Sequence, residues 1–159
     1  MNGETLSIGF SDSSKNLIVN NGTLTITGDG TFDATEATSY KGFINNYGTL
    51  TVENGTFQIA DKAMTVHLRN QDGGKAVING GTFSGGATIV RSFEGSNTTI
   101  TGGSFTNSVY PAVDVNGETL ITGGIFTNTS CSRCDSQNWG YTVRSGVDND
   151  PDAKLTITP

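Results

Sequence analysis

Several residue types are scarce in this chain of 159 residues, and each scarcity excludes a class of protein. Two cysteines are too few for a disulfide framework. Only 33% of the residues are hydrophobic, which is lean for a globular core. No apolar run approaches the roughly 18 residues of a membrane-spanning helix, so we expect no membrane insertion.

Positive charge is also scarce. The chain contains nine Lys and Arg residues and fifteen Asp and Glu residues, which gives a formal net charge of −6. General affinity for nucleic acid or for an anionic membrane is therefore not expected. Met1 leads directly into patterned sequence without a recognisable leader. That arrangement still allows a secreted protein, if the chain is a mature fragment or an excised domain.

The chain is rich in Gly, Thr, Asn and Ser, and these residues recur in a repeat. A short apolar-polar strand, a Gly-containing turn and a Phe appear five times, with the Phe residues 21 to 26 positions apart. The copies are Thr23–Phe32, Thr49–Phe57, Ala76–Phe83, Thr98–Phe105 and Thr119–Phe126. Such a period indicates a solenoid of stacked supersecondary units.

A second strand precedes each new copy of the repeat, as in Phe43-Ile44-Asn45-Asn46 and His67-Leu68-Arg69-Asn70. The period-2 alternation of these segments is typical of strands with one buried face. The identity of Asn2–Leu6 with Asn116–Leu120 predicts that a coil begins at the very start. We therefore expect about six coils of 20–27 residues, plus a trailing strand at Leu155–Pro159. The coils are placed at 2–21, 22–47, 48–74, 75–96, 97–116 and 117–150.

Equivalent residues that recur one coil apart should lie over one another in parallel strands, about 4.8 Å apart. We expect an internal file of Phe32, Phe57, Phe83, Phe105 and Phe126. An aliphatic file of Ile26, Val52, Ile78, Ile100 and Ile121 should lie beside it. The predicted fold is an all-β parallel β-helix that forms one domain over 1–159. An antiparallel sandwich is the alternative, but it does not require five near-identical units.

The coil length, the Gly-Gly turn and the Phe spacing resemble single-stranded right-handed β-helices of the pectin-lyase-like superfamily. They are most similar to repeat segments of bacterial surface adhesins. The resemblance covers nearly the whole chain, and it implies the right hand and a secreted or cell-surface location. It does not imply one function, because this superfamily includes lyases, hydrolases, tailspikes and passive stalks.

The second strands carry the candidate binding residues. In the predicted register, one outward column reads Asn20, Asn45, Arg69, Arg91, Asn116 and Arg144. Its neighbour reads Ile18, Phe43, His67, Ile89, Asp114 and Thr142. The planar guanidinium groups of the Arg residues match carboxylates and sulfates, and the amide groups of the Asn residues match sugar hydroxyls. We expect ligand binding by Arg69, Arg91, Asp114 and Arg144, although solvated Arg and Asn ladders are an alternative.

An enzyme remains the competing interpretation of the same face. A polysaccharide lyase or hydrolase acting on acidic glycans would use Asp114, Arg91 and His67. Two-carboxylate hydrolysis needs a second Asp or Glu on the same groove, and Asp114 is alone in its column. No cofactor and no metal site are expected.

The longest insertion, 127–140, carries the remaining candidates. Cys131 and Cys134 favour a local disulfide that pins the loop, with free thiols as the alternative, because too few further ligands exist for zinc. Trp139 and Tyr141 either stack on sugar rings or, for Trp139, cap the end of the core. The open edge near Pro159 makes end-to-end self-association another possibility.

These observations together predict a non-catalytic β-helix module of a secreted or cell-surface protein. It would present a polar face and an aromatic loop to a glycan or to a protein. The alternatives are the enzyme above and a pure spacer stalk. A chain that ends within a coil favours the module or the spacer over an enzyme.

Overall fold

The structure is a computed structural model that describes residues 3–7, 12–36, 40–60, 65–107, 109–129, 141–146 and 152–158. The described residues form eighteen strands and no helix, and hence no helix that could cross a membrane. The chain passes through three parallel sheets in turn, so each strand pairs with the strand three positions later in the chain. This is the predicted parallel β-helix.

Each sheet contains six of the strands in the described residues. Sheet A is formed by β1 (Thr5–Ser7), β4 (Thr31–Ala34), β7 (Thr56–Ile59), β10 (Thr82–Ser84), β13 (Ser104–Asn107) and β16 (Ile125–Asn128). Sheet B is formed by β2 (Asp12–Asn20), β5 (Tyr40–Asn46), β8 (Val66–Asn70), β11 (Thr88–Ser92), β14 (Val113–Val115) and β17 (Val143–Ser145). Sheet C is formed by β3 (Thr23–Ile26), β6 (Thr49–Val52), β9 (Lys75–Ile78), β12 (Asn97–Ile100), β15 (Glu118–Ile121) and β18 (Lys154–Ile157).

The sequence led us to expect six coils. The structure has about four coils that have a neighbouring coil on both sides. The first and last strand of each sheet have a described neighbour on one side alone. A coil also contains three strands where the sequence suggested two, because each repeat divides at its glycine turn into a sheet C strand and a sheet A strand. Gly81 makes this corner with a φ of +102°, a conformation that side chains with a Cβ resist.

The core contains the two predicted files. The rings of Phe32, Phe57, Phe83, Phe105 and Phe126 stack in order, with centroids 4.6–5.1 Å apart and planes within 7°. The aliphatic file is in register from Ile26 to Ile121 and continues to Ile157. Coil spacing near 4.8 Å brings like side chains into van der Waals contact, so a thin core suffices for a chain low in hydrophobic residues.

The identity of Asn2–Leu6 with Asn116–Leu120 predicted equivalent places in the coil, and for Thr5 and Leu6 this prediction is wrong. Thr5–Ser7 belongs to sheet A, where Leu6 lies beside Phe32, whereas the matching segment Glu118–Ile121 belongs to sheet C. The same Thr-Leu pair, which follows Asn-Gly-Glu in both segments, therefore occupies two different sheets. The reason is that Thr-Leu alternation suits either strand, and the neighbouring coil decides which one forms.

A buried polar file runs beside the apolar core. The Nδ2 of Asn20 donates to Oδ1 of Asn46 at 2.7 Å, and Nδ2 of Asn46 donates to Oδ1 of Asn70 at 2.8 Å. The Nδ2 of Asn70 then donates to Oγ1 of Thr98 at 2.9 Å. Amides carry both donors and acceptors, so a stack of them satisfies itself without water.

Candidate functional site

The outward face of sheet B differs from the predicted register in two coils, by one residue in the first and by two residues in the fifth. The column that the structure forms reads Val19, Asn45, Arg69, Arg91, Asp114 and Arg144, and we refer to it as the outer column. Asn20 was expected in this column but lies in the buried amide file. Asp114 takes the place that Asn116 was expected to hold. Asp114 is thus directly between two arginines.

Asp114 forms ion pairs with both of these arginines. Its Oδ1 is 2.9 Å from Nε of Arg144, and its Oδ2 is 3.6 Å from Nε of Arg91. The Asp114 side chain is only 6% exposed, against 31% for Arg91 and 19% for Arg144. A carboxylate so enclosed is stabilised by charge-assisted contacts to the two guanidiniums.

Arg69 has a different environment. Its guanidinium carbon lies 4.8 Å from the ring centroid of Phe93, and that of Arg91 lies 5.1 Å from the same ring. Among the described residues Arg69 has no carboxylate partner. Burial lowers the pKa of Arg69 from its usual value, and the charge of Arg91 adds to this effect, while Tyr47 opposes it. Arg144 differs in geometry, because its Nε lies 2.9 Å from a carboxylate oxygen of Asp114.

Polar side chains border Arg69 on the side away from Arg91. The Nε2 of Gln71 donates to Oδ1 of Asn45 at 2.6 Å, and Nδ2 of Asn45 donates to the Tyr47 hydroxyl at 3.2 Å. Asn45 is the register neighbour of Arg69, and Tyr47 is 48% exposed. The Tyr47 hydroxyl accepts in this chain of hydrogen bonds, so its own proton is directed to solvent or to a ligand.

His67 is not on the outer face, contrary to the expectation from sequence. It is 1% exposed, its ring is parallel to that of Phe43 at 6.1 Å, and it meets Phe83 edge-on at 5.9 Å. Its Nε2 donates to the carbonyl oxygens of Ser84 and Gly85 at 3.1 and 3.2 Å. The set Asp114, Arg91 and His67 is consequently split between the exterior and the interior of the coil.

Burial of His67 predicts a pH-dependent stability. Desolvation lowers its pKa to about 4, against 6.5 in the unfolded chain, although the two carbonyl contacts oppose the shift. The unfolded chain binds the proton more readily, so this contribution is complete above about pH 6.5 and is lost as the pH falls towards 4. We expect a loss of about 3 kcal/mol over that window.

The matched variant for this measurement is His67→Phe, which extends the ring contact with Phe43 and cannot titrate. Denaturant unfolding at pH 7, 5.5 and 4 should show a steeper decline for the wild type than for the variant. Carboxylates titrate in both proteins, so only the difference reports on His67. Parallel pH profiles would contradict the assignment.

Three of the predicted loop residues, Cys131, Cys134 and Trp139, lie outside the described residues, and their roles stay predictions. Thr127 and Asn128, assigned to the loop from the sequence, belong to strand β16. Tyr141 is exposed just before β17. Self-association at the C-terminal edge also stays a prediction, although Ile125 and Ile157 are exposed on the last strands. In the described part of the chain, no group of three or more His, Cys, Asp or Glu residues could hold a metal ion.

Sequence reasoning missed Phe93, Tyr47 and Gln71 as parts of this face, and it missed the true position of Asp114. A signal for the register existed. Asn20-Asn21-Gly22-Thr23 matches Asn46-Tyr47-Gly48-Thr49, which aligns Asn20 with Asn46. Counting back from Gly117 in the same way aligns Val115 with Asn46 and places Asp114 beside Arg91.

Comparisons with known proteins do not assign a family: no family model, no curated protein and no solved structure matches this chain. The function must therefore be inferred from the geometry of the outer column.

Proposed function

We propose that this chain is a non-catalytic β-helix module of a secreted or cell-surface protein, and that it binds an acidic partner through the outer column. The observation that carries the proposal is the row of three guanidiniums on one rigid sheet of a protein with net charge −6. Cations concentrated on one face of an acidic molecule favour binding of an anionic group at that face.

The outer column is well ordered for such a role. Its backbone is held by parallel pairing to a strand on each side, from Asn45 to Asp114. The phenyl ring of Phe93 supports two of the arginines. Preorganised side chains lose less conformational entropy when a ligand binds, so more of the interaction energy appears as affinity.

The assignment to surface proteins is part of the proposal and is supported by sequence features alone. The Gly-Gly turn, the coil length and the Phe spacing are similar to those of pectin-lyase-like β-helices and adhesin repeats. The enzymatic alternative has less support, because His67 is inside the coil and Asp114 is held by Arg91 and Arg144.

The test compares a neutralised outer column with a matched surface control. The variant R69Q/R91Q/R144Q/D114N removes three positive charges and one negative charge, so no buried carboxylate is left unpaired. The control K75Q/K154Q removes two positive charges from exposed positions of sheet C and so changes the net charge equally.

Both proteins and the wild type are tested against arrays of acidic glycans and acidic proteins. We expect the wild type and the control to bind, and the column variant to bind at least about tenfold more weakly, since charge-assisted hydrogen bonds contribute about 1.5–3 kcal/mol each. Absence of any binding by the wild type would contradict the proposal and leave a spacer stalk. Equal binding by the column variant would contradict the assigned face.

A further inference from the structure

We propose that Arg69, with its neighbour Arg91, forms a site for one oxyanion of an acidic glycan, either a sulfate or a carboxylate. This inference rests on the proposed function and names the ligand chemistry of the same face. Its structural basis is an adjacent pair of guanidiniums on sheet B, of which Arg69 has no carboxylate partner among the described residues.

The charge pattern of the outer column is uneven. Arg69 and Arg91 are direct register partners, and like charges opposed on neighbouring strands destabilise a sheet. Asp114 compensates Arg91 and Arg144, whereas the positions on the other side of Arg69 are Asn45 and Val19. An external oxyanion next to Arg69 would relieve this repulsion.

The Arg69 side chain is held in place. A Cβ added to Gly42 would lie 2.7 Å from Cδ of Arg69 and 3.2 Å from its Cγ, so the aliphatic stem of Arg69 lies directly over this glycine. The Phe93 ring then supports the guanidinium. The Nε atoms of Arg69 and Arg91 are buried without a hydrogen-bond partner, so hydrogen bonding falls to the terminal nitrogens. A guanidinium held in this way is already oriented, so little conformational entropy is lost when a ligand binds.

The outer column already contains one carboxylate bound by arginines, that of Asp114. The two oxygens of Asp114 are shared between arginines one coil above and one coil below, at 2.9 and 3.6 Å. An oxyanion from outside would meet guanidiniums of the same kind at Arg69 and Arg91. The difference is that Asp114 already occupies the Arg91–Arg144 position, whereas Arg69 lacks an equivalent partner among the described residues.

The surroundings of Arg69 favour a glycan over a protein. Asn45, Gln71 and the Tyr47 hydroxyl offer polar groups that match sugar hydroxyls. Protein interfaces depend on buried apolar anchors. Of the exposed large hydrophobic side chains in the described residues, Val19 lies in the outer column and Tyr47 borders Asn45 of that column. A flat polar surface with one aromatic edge suits an extended sugar chain.

The experiment is calorimetric titration of the full chain with three oligosaccharides of equal length, one sulfated, one containing uronic acids and one neutral. The matched variants are Arg69→Gln and Arg144→Gln, which change the same residue type in the same column. We expect Arg69→Gln to weaken binding of the sulfated or the uronic probe at least about tenfold, and Arg144→Gln to weaken it less than about threefold, because Asp114 already occupies Arg144.

The charged probe that binds identifies the source of the oxyanion, and the neutral probe should not bind. Arg69→Lys keeps the positive charge and should fold like the wild type. It should still bind the charged probe more weakly, because the planar fork of the guanidinium is lost. Circular dichroism melting confirms that each variant is folded.

Two results would overturn the site while leaving the proposed function intact: a loss for Arg144→Gln as large as that for Arg69→Gln, or unchanged binding by Arg69→Gln. Tighter binding of poly-glutamate than of either charged oligosaccharide would overturn the glycan assignment. Failure of the wild type to bind any charged probe would overturn the site. If the wild type also fails on the wider panel of acidic glycans and proteins, the proposed function fails with it.

Discussion

Phe83→Ala is expected to lower the free energy of unfolding by about 3–5 kcal/mol. Phe83 is at the centre of the Phe file, with Phe57 at 4.6 Å, Phe105 at 5.1 Å and the edge of His67 at 5.9 Å. Its neighbours are fixed by the parallel ladders on both sides, so they cannot collapse into the space left by the ring. The loss therefore includes the cavity as well as the transfer of the side chain.

The control for this prediction is Phe93→Ala, a change of the same residue type on the outer face. It removes two cation–π contacts from a half-buried position and should cost about 1–2 kcal/mol. Both variants are compared with the wild type by denaturant unfolding followed by circular dichroism. Equal losses for Phe83 and Phe93 would contradict the internal file, on which every assignment of a face depends.

Gly85→Ala is expected to have a similarly large effect, with a loss of at least about 4 kcal/mol or failure to fold. The added Cβ would lie 1.9 Å from the carbonyl oxygen of Ile59, which is backbone of the adjacent coil and cannot rotate away. The φ of Gly85 is +78°, which adds the penalty of a left-handed conformation. A shift of this segment would also displace the Gly85 carbonyl that accepts from His67.

Gly73→Ala separates these two causes. Gly73 has nearly the same φ, +74°, but nothing lies within 4 Å of its added Cβ. This variant should therefore show the conformational penalty alone, about 1–2 kcal/mol. The difference between the two glycine variants measures the cost of the clash between coils. If thermal and denaturant unfolding give the same loss for both, the coils are not stacked as closely as the structure shows.

Much of the fold could be predicted from the repeat. The files of Phe32 to Phe126 and of Ile26 to Ile121 follow from residues that recur at equal places in each copy. The outer column was partly predictable as well, since Asn45, Arg69, Arg91 and Arg144 were placed together correctly. Strand and turn signals are local, so a single sequence is enough to detect them.

The errors arose where the repeat is irregular. The strand before Asn20 was shifted by one residue, which moves its side chains to the opposite face. The strand around Asp114 was shifted by two residues, which keeps the same face but changes the partner of each side chain. His67 was placed outside for a different reason. It was expected outside together with Phe43 and Ile89, but all three are buried next to a buried residue, so the simple alternation of faces fails at this position of sheet B.

The sequence by itself determined that strands stack in parallel and which residues form the Phe and aliphatic files, because similar side chains that recur once in each coil can bury themselves only by lying over one another. The tertiary structure decided which charges meet. The pairing of Asp114 with Arg91 and Arg144, and the support of Arg69 by Phe93, depend on the exact register between coils. That register is set by contacts between residues more than twenty positions apart, which a local pattern does not encode.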